Sequence, residues 1–280
     1  MKYLKVWFII FSAVFALNSF SQSILEGGDD KYTPRVGQEG KDVVWVPTTN
    51  ELLAIMLQTA KVTSNDLVYD LGSGDGRIAI AAAKNFGARA VGIEFNPEMA
   101  KLAQRNVDRS GVSDRVKIIN GDIFVEDFSK ATVVTMYLLP ELNIALRPTI
   151  LKMKPGTRVT SHAFNMGDWD ADIEIDSPAK AYYWVVPAQV AGEWAISGME
   201  PGRVILKLSQ HYQKVGGTLQ LGNESQALLN PRLDGAILSF TYLDRQKSSH
   251  FVKMAVNNNE IKGIHKSSSY NDTAITGKRL

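Results

Sequence analysis

Apolar and polar positions change rhythm twice along the chain. Leu52, Leu53, Met56, Leu57 and Ala60 recur at helical spacing, and Thr48 with Glu51 behind it has the form of a capping box at the start of that helix. Short apolar runs then alternate with helical spacings. Leu67 to Leu71, Ala90 to Ile93, Val116 to Ile119, Ala131 to Leu138 and Arg158 to Phe164 predict strands; Ile78 to Lys84, Pro97 to Ser110 and Leu142 to Met153 predict helices. Strands separated by helices mean βαβ units, hence an α/β fold with a doubly wound, mostly parallel, Rossmann-like sheet. Beyond Pro187 the rhythm becomes that of strands alone. Val204 to Leu208, Thr218 to Leu221, Ala236 to Tyr242, Phe251 to Val256 and Glu260 to His265 are strand candidates, with Gly216-Gly217, Asn230-Pro231 and Asn257-Asn258-Asn259 between them as turn signals. An α/β domain over 43–187 and a C-terminal antiparallel β domain over 188–280 are expected.

The N-terminus follows neither rhythm. Lys2 and Lys5 precede an apolar run from Val6 to Leu17, and Asn18-Ser19-Phe20-Ser21 supplies small and polar residues. This is the layout of a secretory signal peptide over 1–21, cleaved after Ser21. The run is shorter than the roughly 20 residues of a membrane span, so no stable membrane insertion is expected after cleavage. Export to the periplasm or envelope of a bacterium follows, with an uncleaved anchor as the alternative. Residues 22–42 are polar and glycine-containing and read as a linker.

Composition narrows the classes. The chain carries 31 Lys and Arg against 29 Asp and Glu, and the signal holds two of the lysines and no acid. A near-neutral mature protein offers no electrostatic track for nucleic acid. Absence of cysteine excludes disulfides, thiolate metal sites and a cysteine nucleophile. Of the four histidines, His211, His250 and His265 fall in the β domain and His162 on a core strand; no pair has metal-ligand spacing, and no metal is expected.

The chemistry is concentrated where strands end. Asp70-Leu71-Gly72-Ser73-Gly74-Asp75-Gly76-Arg77 closes the first strand and opens a helix. Such a turn brings backbone close to a ligand and offers the free N–H groups of a helix start. The dinucleotide fingerprint wants a glycine at position 77, and the acids Asp70 and Asp75 would repel a pyrophosphate. They suit a ligand with an amino group and a sulfonium cation. Glu94, 24 positions after Asp70, ends the second strand and can accept from ribose hydroxyls; Phe95 and Asn96 follow it into the same loop. Asp122 lies at the end of the third strand, placed to accept from an adenine amino group while Ile123 packs on the ring.

These segments resemble class I S-adenosylmethionine-dependent methyltransferases, and more narrowly the ATP synthase c-subunit lysine methyltransferases and their bacterial relatives. The resemblance rests on Asp70 to Arg77, Gly92-Ile93-Glu94, Gly121-Asp122-Ile123 and Val46-Pro47-Thr48, and runs from about Asp42 to Trp169. It implies S-adenosylmethionine as cofactor. The glycine turn, with Gly72, Ser73, Gly74, Asp75 and Gly76, would contact the methionine moiety, Glu94 the ribose and Asp122 the adenine, with Thr48 near the cofactor carboxylate. It also implies an acceptor placed by the loop after the fourth strand, Tyr137-Leu138-Leu139-Pro140, with Tyr137 as the catalytic candidate. Base-modifying enzymes often carry Asn/Asp-Pro-Pro-Tyr/Phe there, so nucleic acid is not expected as acceptor. A protein lysine is the first expectation. A small-molecule O- or N-methyltransferase and a non-catalytic cofactor-binding envelope protein are the alternatives.

Overall fold

The computed structural model describes residues 28–199, 204–267 and 272–280. The expected signal peptide lies outside them, as do residues 22–27 of the expected linker. Among the described residues no helix is long and apolar enough to cross a membrane. The chain forms two compact units. One runs up to Leu142 and adds Thr160–Phe164 and Glu174–Tyr182; the other comprises Asn143–Val159, Asn165–Ile173 and Tyr183–Leu280.

In chain order the α/β elements are α1 (Asn50–Thr59), β1 (Leu67–Leu71), α2 (Arg77–Phe86), β2 (Arg89–Glu94), α3 (Pro97–Arg109), β3 (Val116–Asn120), β4 (Val133–Met136), α4 (Pro140–Ile150), β5 (Arg158–His162), β6 (Ile173–Ile175) and β7 (Ala181–Val185). The sheet has the order β3-β2-β1-β4-β5-β7-β6. β1 pairs in parallel with β2 on one side and β4 on the other, so the strand order reverses beside β1. Loops leaving the carboxyl ends of β1 and β4 part company there and open the crevice in which such sheets hold ligands. All four residues of β4 are buried, as in a strand covered on both faces, and the one polar residue among them, Thr135, donates to Asp70. α2 buries Ile78, Ala79, Ala82 and Ala83, and α3 starts at Asn96, whose side chain accepts from the amides of Glu98 and Met99.

The α/β class with a C-terminal antiparallel sheet is as expected; several boundaries are not. α1 is capped by Thr49, not Thr48: the Thr49 hydroxyl accepts from Leu52 N, which leaves the Thr48 hydroxyl to a different partner. β4 stops at Met136 because its partner β1 turns away after Leu71, so Tyr137 and Leu138 lie in the loop. Asp122 likewise sits past the end of β3, and its Oδ1 accepts from Phe124 N. β6 and β7 were not legible as strands.

The antiparallel sheet contains β8 (Gly192–Ser197), β9 (Val204–His211), β10 (Lys214–Leu221), β11 (Glu224–Ala227), β12 (Leu229–Asp234), β13 (Ile237–Leu243), β14 (Ser249–Asn257), β15 (Glu260–Ser267) and β16 (Thr273–Arg279), in the order β11-β10-β9-β8-β16-β15-β14-β13-β12. Leu219 of β10 and Leu233 of β12, from opposite ends of that order, share one core with Trp194, Phe240 and Ile261. Two expected turns are in fact strand. Gly216-Gly217 lies within β10, where a Cβ on Gly217 would fall 2.0 Å from Lys207 O. Asn230-Pro231 lies in β12, an edge strand whose pairing with β13 shifts register there, the position in a sheet where proline is tolerated. On the Asp168-Trp169-Asp170 loop, Trp169 is fully buried against Trp184 and donates to Gln213 Oε1, so this tryptophan anchors the loop.

Candidate cofactor site

A cavity of about 230 Å³ lies in the first unit at the carboxyl ends of β1, β2 and β4. Thr48, Asp70, Gly72, Ser73, Gly74, Asp75, Glu94, Phe95, Asn96, Asp122, Ile123 and Tyr137 all line it. Gly76 does not. At φ +82° it serves as the N-cap of α2, where a Cβ would press on Ala103 of α3. The missing Cβ lets α2 and α3 approach closely here.

Asp70 stands at the floor, fully buried. Its carboxylate accepts from Thr135 Oγ1 at 2.7 Å and Ser73 Oγ at 2.9 Å. Burial pushes its pKa up to about 6 against those hydrogen bonds, and the charges of Asp75 and Glu94 add to the rise. Asp75 is not the free acid its sequence position suggests. Arg77 holds it in a bidentate pair, with Nη2 at 2.6 Å from Oδ2 and Nε at 3.0 Å from Oδ1, and also donates to Thr48 O at 3.1 Å. The pair therefore ties the glycine turn to the chain before α1.

Glu94 accepts from Gly74 N through Oε2 and from Asn96 N through Oε1, both at 2.9 Å. Burial raises its pKa while these amides lower it. Asn96 turns its own side chain to α3, so it shapes the loop through its amide. Asn120 Nδ2 donates to Glu94 O and Phe95 O and locks the same loop from β3, a part not foreseen.

The expected linker supplies the cavity's outer wall. Gly37 N donates to Trp45 O, Trp45 N to Gln38 O and Gly40 N to Val43 O, closing a small hairpin whose residues 38–48 line the cavity. Further back, Asp29 accepts from Arg105 and Arg109 of α3. Lys41 Nζ reaches Asp122 Oδ2 at 2.7 Å and lies 4.7 Å from the Phe95 ring centroid. That bond holds the Asp122 carboxyl below the ordinary range. Trp45 closes on Gly74, where a Cβ would sit 2.7 Å from the indole nitrogen. The run of β-branched and aromatic residues Val43-Val44-Trp45-Val46 was the available signal for this hairpin.

Beyond β4, Tyr137 packs on His162 with ring centroids 3.7 Å apart and has Phe164 at 6.4 Å. His162 Nδ1 lies 3.0 Å from Thr48 Oγ1, and burial lowers the imidazole pKa, so the ring is neutral at pH 7.

The acceptor set suits a ligand rich in hydroxyl and amino groups: acids end β1 and β2, a third follows β3, and Glu94 still has acceptor capacity beyond its backbone partners. Comparison with known proteins agrees. The ANTKMT methyltransferase domain family matches residues 70–173. A protein-lysine N-methyltransferase of Saccharolobus islandicus is 48% identical over 130 residues, 46% of this chain and 81% of that protein. The chain belongs to the ANTKMT methyltransferase family. It is an S-adenosylmethionine-dependent methyltransferase. The mouse lysine N-methyltransferase of the ATP synthase c-subunit is 32% identical over 129 residues, and this methyltransferase spans 51% of its length. A solved structure described as an RNA methyltransferase from Salinibacter ruber, in complex with S-adenosyl-L-homocysteine, is 47% identical with TM-score 0.51, covering 52% of this chain and 96% of that one.

Proposed function

We propose that this methyltransferase methylates the amine of a protein lysine. The observation that carries the reading is the aromatic site past β4, where Tyr137 lines the cavity between His162 and Phe164. An aromatic face attracts an ammonium by roughly 0.5–2 kcal/mol, and the half-buried surroundings favour the neutral amine that must attack. The relatives named for lysine methylation, from an archaeon and from mouse, support the same acceptor.

The cofactor supplies a methyl group on a sulfonium, which the amine takes by in-line displacement, leaving S-adenosylhomocysteine and releasing the amine's proton. The chain's own residues orient and exclude water. In this reading Glu94 would accept from the ribose hydroxyls and Asp122 from the adenine amino group beside Ile123 and Phe95. The glycine turn and Thr48 would meet the methionine end, and Tyr137 would orient the acceptor. Lys2, Lys5 and the apolar run to Leu17 support export, which would make the acceptor an envelope protein.

The test is incubation of the full chain with methyl-labelled S-adenosylmethionine and separated protein, RNA and small-molecule fractions of the host. Label in methyl-lysine is the expected result. Label in RNA, the acceptor named for the Salinibacter protein, or in a small metabolite overturns the reading. Intact mass of the protein from its host should show a chain beginning at Gln22 in the envelope or periplasmic fraction; Met1 retained in cytosolic protein ends the export proposal.

A further inference from the structure

The imidazole of His162 is buried and lies outside the cavity wall, yet it touches two residues within that wall. Its Nδ1 is 3.0 Å from Thr48 Oγ1, and its ring packs against Tyr137 with centroids 3.7 Å apart and planes tilted by 34°. Thr48 comes from the chain before α1, Tyr137 from the loop after β4 and His162 from the end of β5. The backbone beyond His162 is itself unusual. Ala163 adopts φ +64°, a left-handed conformation disfavoured for a residue with a Cβ, and Phe164 N donates back to His162 O at 2.8 Å to close a three-residue turn. Ala163 N is held in turn by Lys180 O at 2.8 Å. This turn brings His162 and Phe164 to the same tyrosine. Strain of this kind persists where the surroundings over-determine it, and it clusters at functional sites.

We propose that His162 is a positioning residue that joins the cofactor side of the site, through Thr48, to the acceptor side, through Tyr137. The inference rests on the lysine-acceptor reading for its Tyr137 arm only. A neutral imidazole carries one ring proton. With the proton on Nδ1, His162 donates to Thr48 and leaves the threonine O–H to be offered to a ligand acceptor. With the proton on Nε2, Thr48 donates to Nδ1 and offers lone pairs instead. The tautomer of His162 thus sets what Thr48 presents to the cavity, while the ring face fixes the plane of Tyr137.

Two variants of the full chain separate the arms. His162→Phe keeps a ring against Tyr137 and removes the nitrogen; His162→Asn places a polar atom near the Nδ1 position and removes the ring. Calorimetry with S-adenosylhomocysteine should show affinity reduced about tenfold in His162→Phe, the effect of one lost hydrogen bond, and nearly unchanged in His162→Asn. Turnover of poly-L-lysine at saturating cofactor should fall about tenfold in His162→Asn and much less in His162→Phe. A merely structural histidine would lower thermal stability in both variants without splitting affinity from turnover, and that result overturns the proposal. Should the wild type bind S-adenosylhomocysteine but methylate no lysine, the acceptor reading fails separately. Histidine-selective NMR then decides: the His162 resonances should move on adding S-adenosylhomocysteine and again in Tyr137→Ala, and absence of either movement also overturns it.

Discussion

The amide of Gly74 donates to Glu94 Oε2 at 2.9 Å, joining the turn after β1 to the tip of β2. The other carboxylate oxygen takes the amide of Asn96. One side chain therefore shapes two loops and still presents lone pairs to the cavity. Glu94→Ala should weaken S-adenosylhomocysteine binding by about 1.5–3 kcal/mol, the range for hydrogen bonds to a charged group. Isothermal calorimetry checks it, and wild-type affinity in the variant would remove Glu94 from the site.

Gly74→Val should abolish cofactor binding. The position has φ +55°, and its Cβ would lie 2.7 Å from Trp45 Nε1, so the indole must leave the cavity wall. Strain adds about 1–2 kcal/mol of destabilisation for a non-glycine residue in this region. The expected outcome is a folded protein by circular dichroism, melting a few degrees lower, without a binding isotherm.

Asp70 gives the site a pH dependence. Its folded-state pKa of about 6 lies above the ordinary value of 3.8, mainly through burial, so folding takes up a proton between those values. Stability from this group rises as pH falls through 6, and its destabilising effect is fully present above. A cationic ligand favours the ionised form. S-adenosylmethionine affinity should therefore decline as pH drops below about 6, with proton release on binding. Calorimetry at pH 6 in two buffers of different ionisation enthalpy measures that release; equal apparent enthalpies would contradict it.

Lys41 and Asp122 should separate in their effects. Their ion pair is part-exposed and screened by solvent, so Lys41→Met should leave the melting temperature almost unchanged. Asp122→Ala should weaken S-adenosylhomocysteine binding by about 1.5–3 kcal/mol, because it removes an acceptor that Lys41 cannot replace. The two variants compared by calorimetry decide whether Asp122 serves the ligand or only the hairpin.

Tyr137→Phe should reduce turnover modestly and Tyr137→Ala more strongly, with S-adenosylhomocysteine affinity retained in both. Loss of the ring removes a cation attraction of roughly 0.5–2 kcal/mol, whereas loss of the hydroxyl leaves it. Kinetics at saturating cofactor against a lysine acceptor, beside binding calorimetry, separate the two effects.

Sequence was most informative where one residue type serves one local purpose. The glycine turn, Glu94 at a strand tip and the alternation of strands with helices were readable because each follows from spacing alone. Thr48 was placed at the site but given the capping role that Thr49 performs, since two adjacent threonines fit the same pattern. The charge of Asp75 could not be seen to belong to Arg77, because bidentate pairing depends on side-chain geometry. Lys41, Trp45 and His162 were missed as site residues for a different reason. Each contacts a position far away in the chain, and nothing in the local pattern of Gly37 to Val46 says what its hairpin lies upon. Pro231 and Gly217 misled in the β domain, where edge position and a close strand approach permit residues that usually mark turns.

The hairpin of residues 37–45 carries a consequence for where this enzyme begins. The family match starts at Asp70, yet Trp45 against Gly74, Lys41 on Asp122 and the Thr48 carbonyl under Arg77 all come from upstream. A fragment cut to the matching region would begin inside β1, end before β7 and lose this wall as well, so it should neither complete the sheet nor enclose the cavity. The limits of the family match and the limits of the enclosed cavity are therefore different boundaries in this chain.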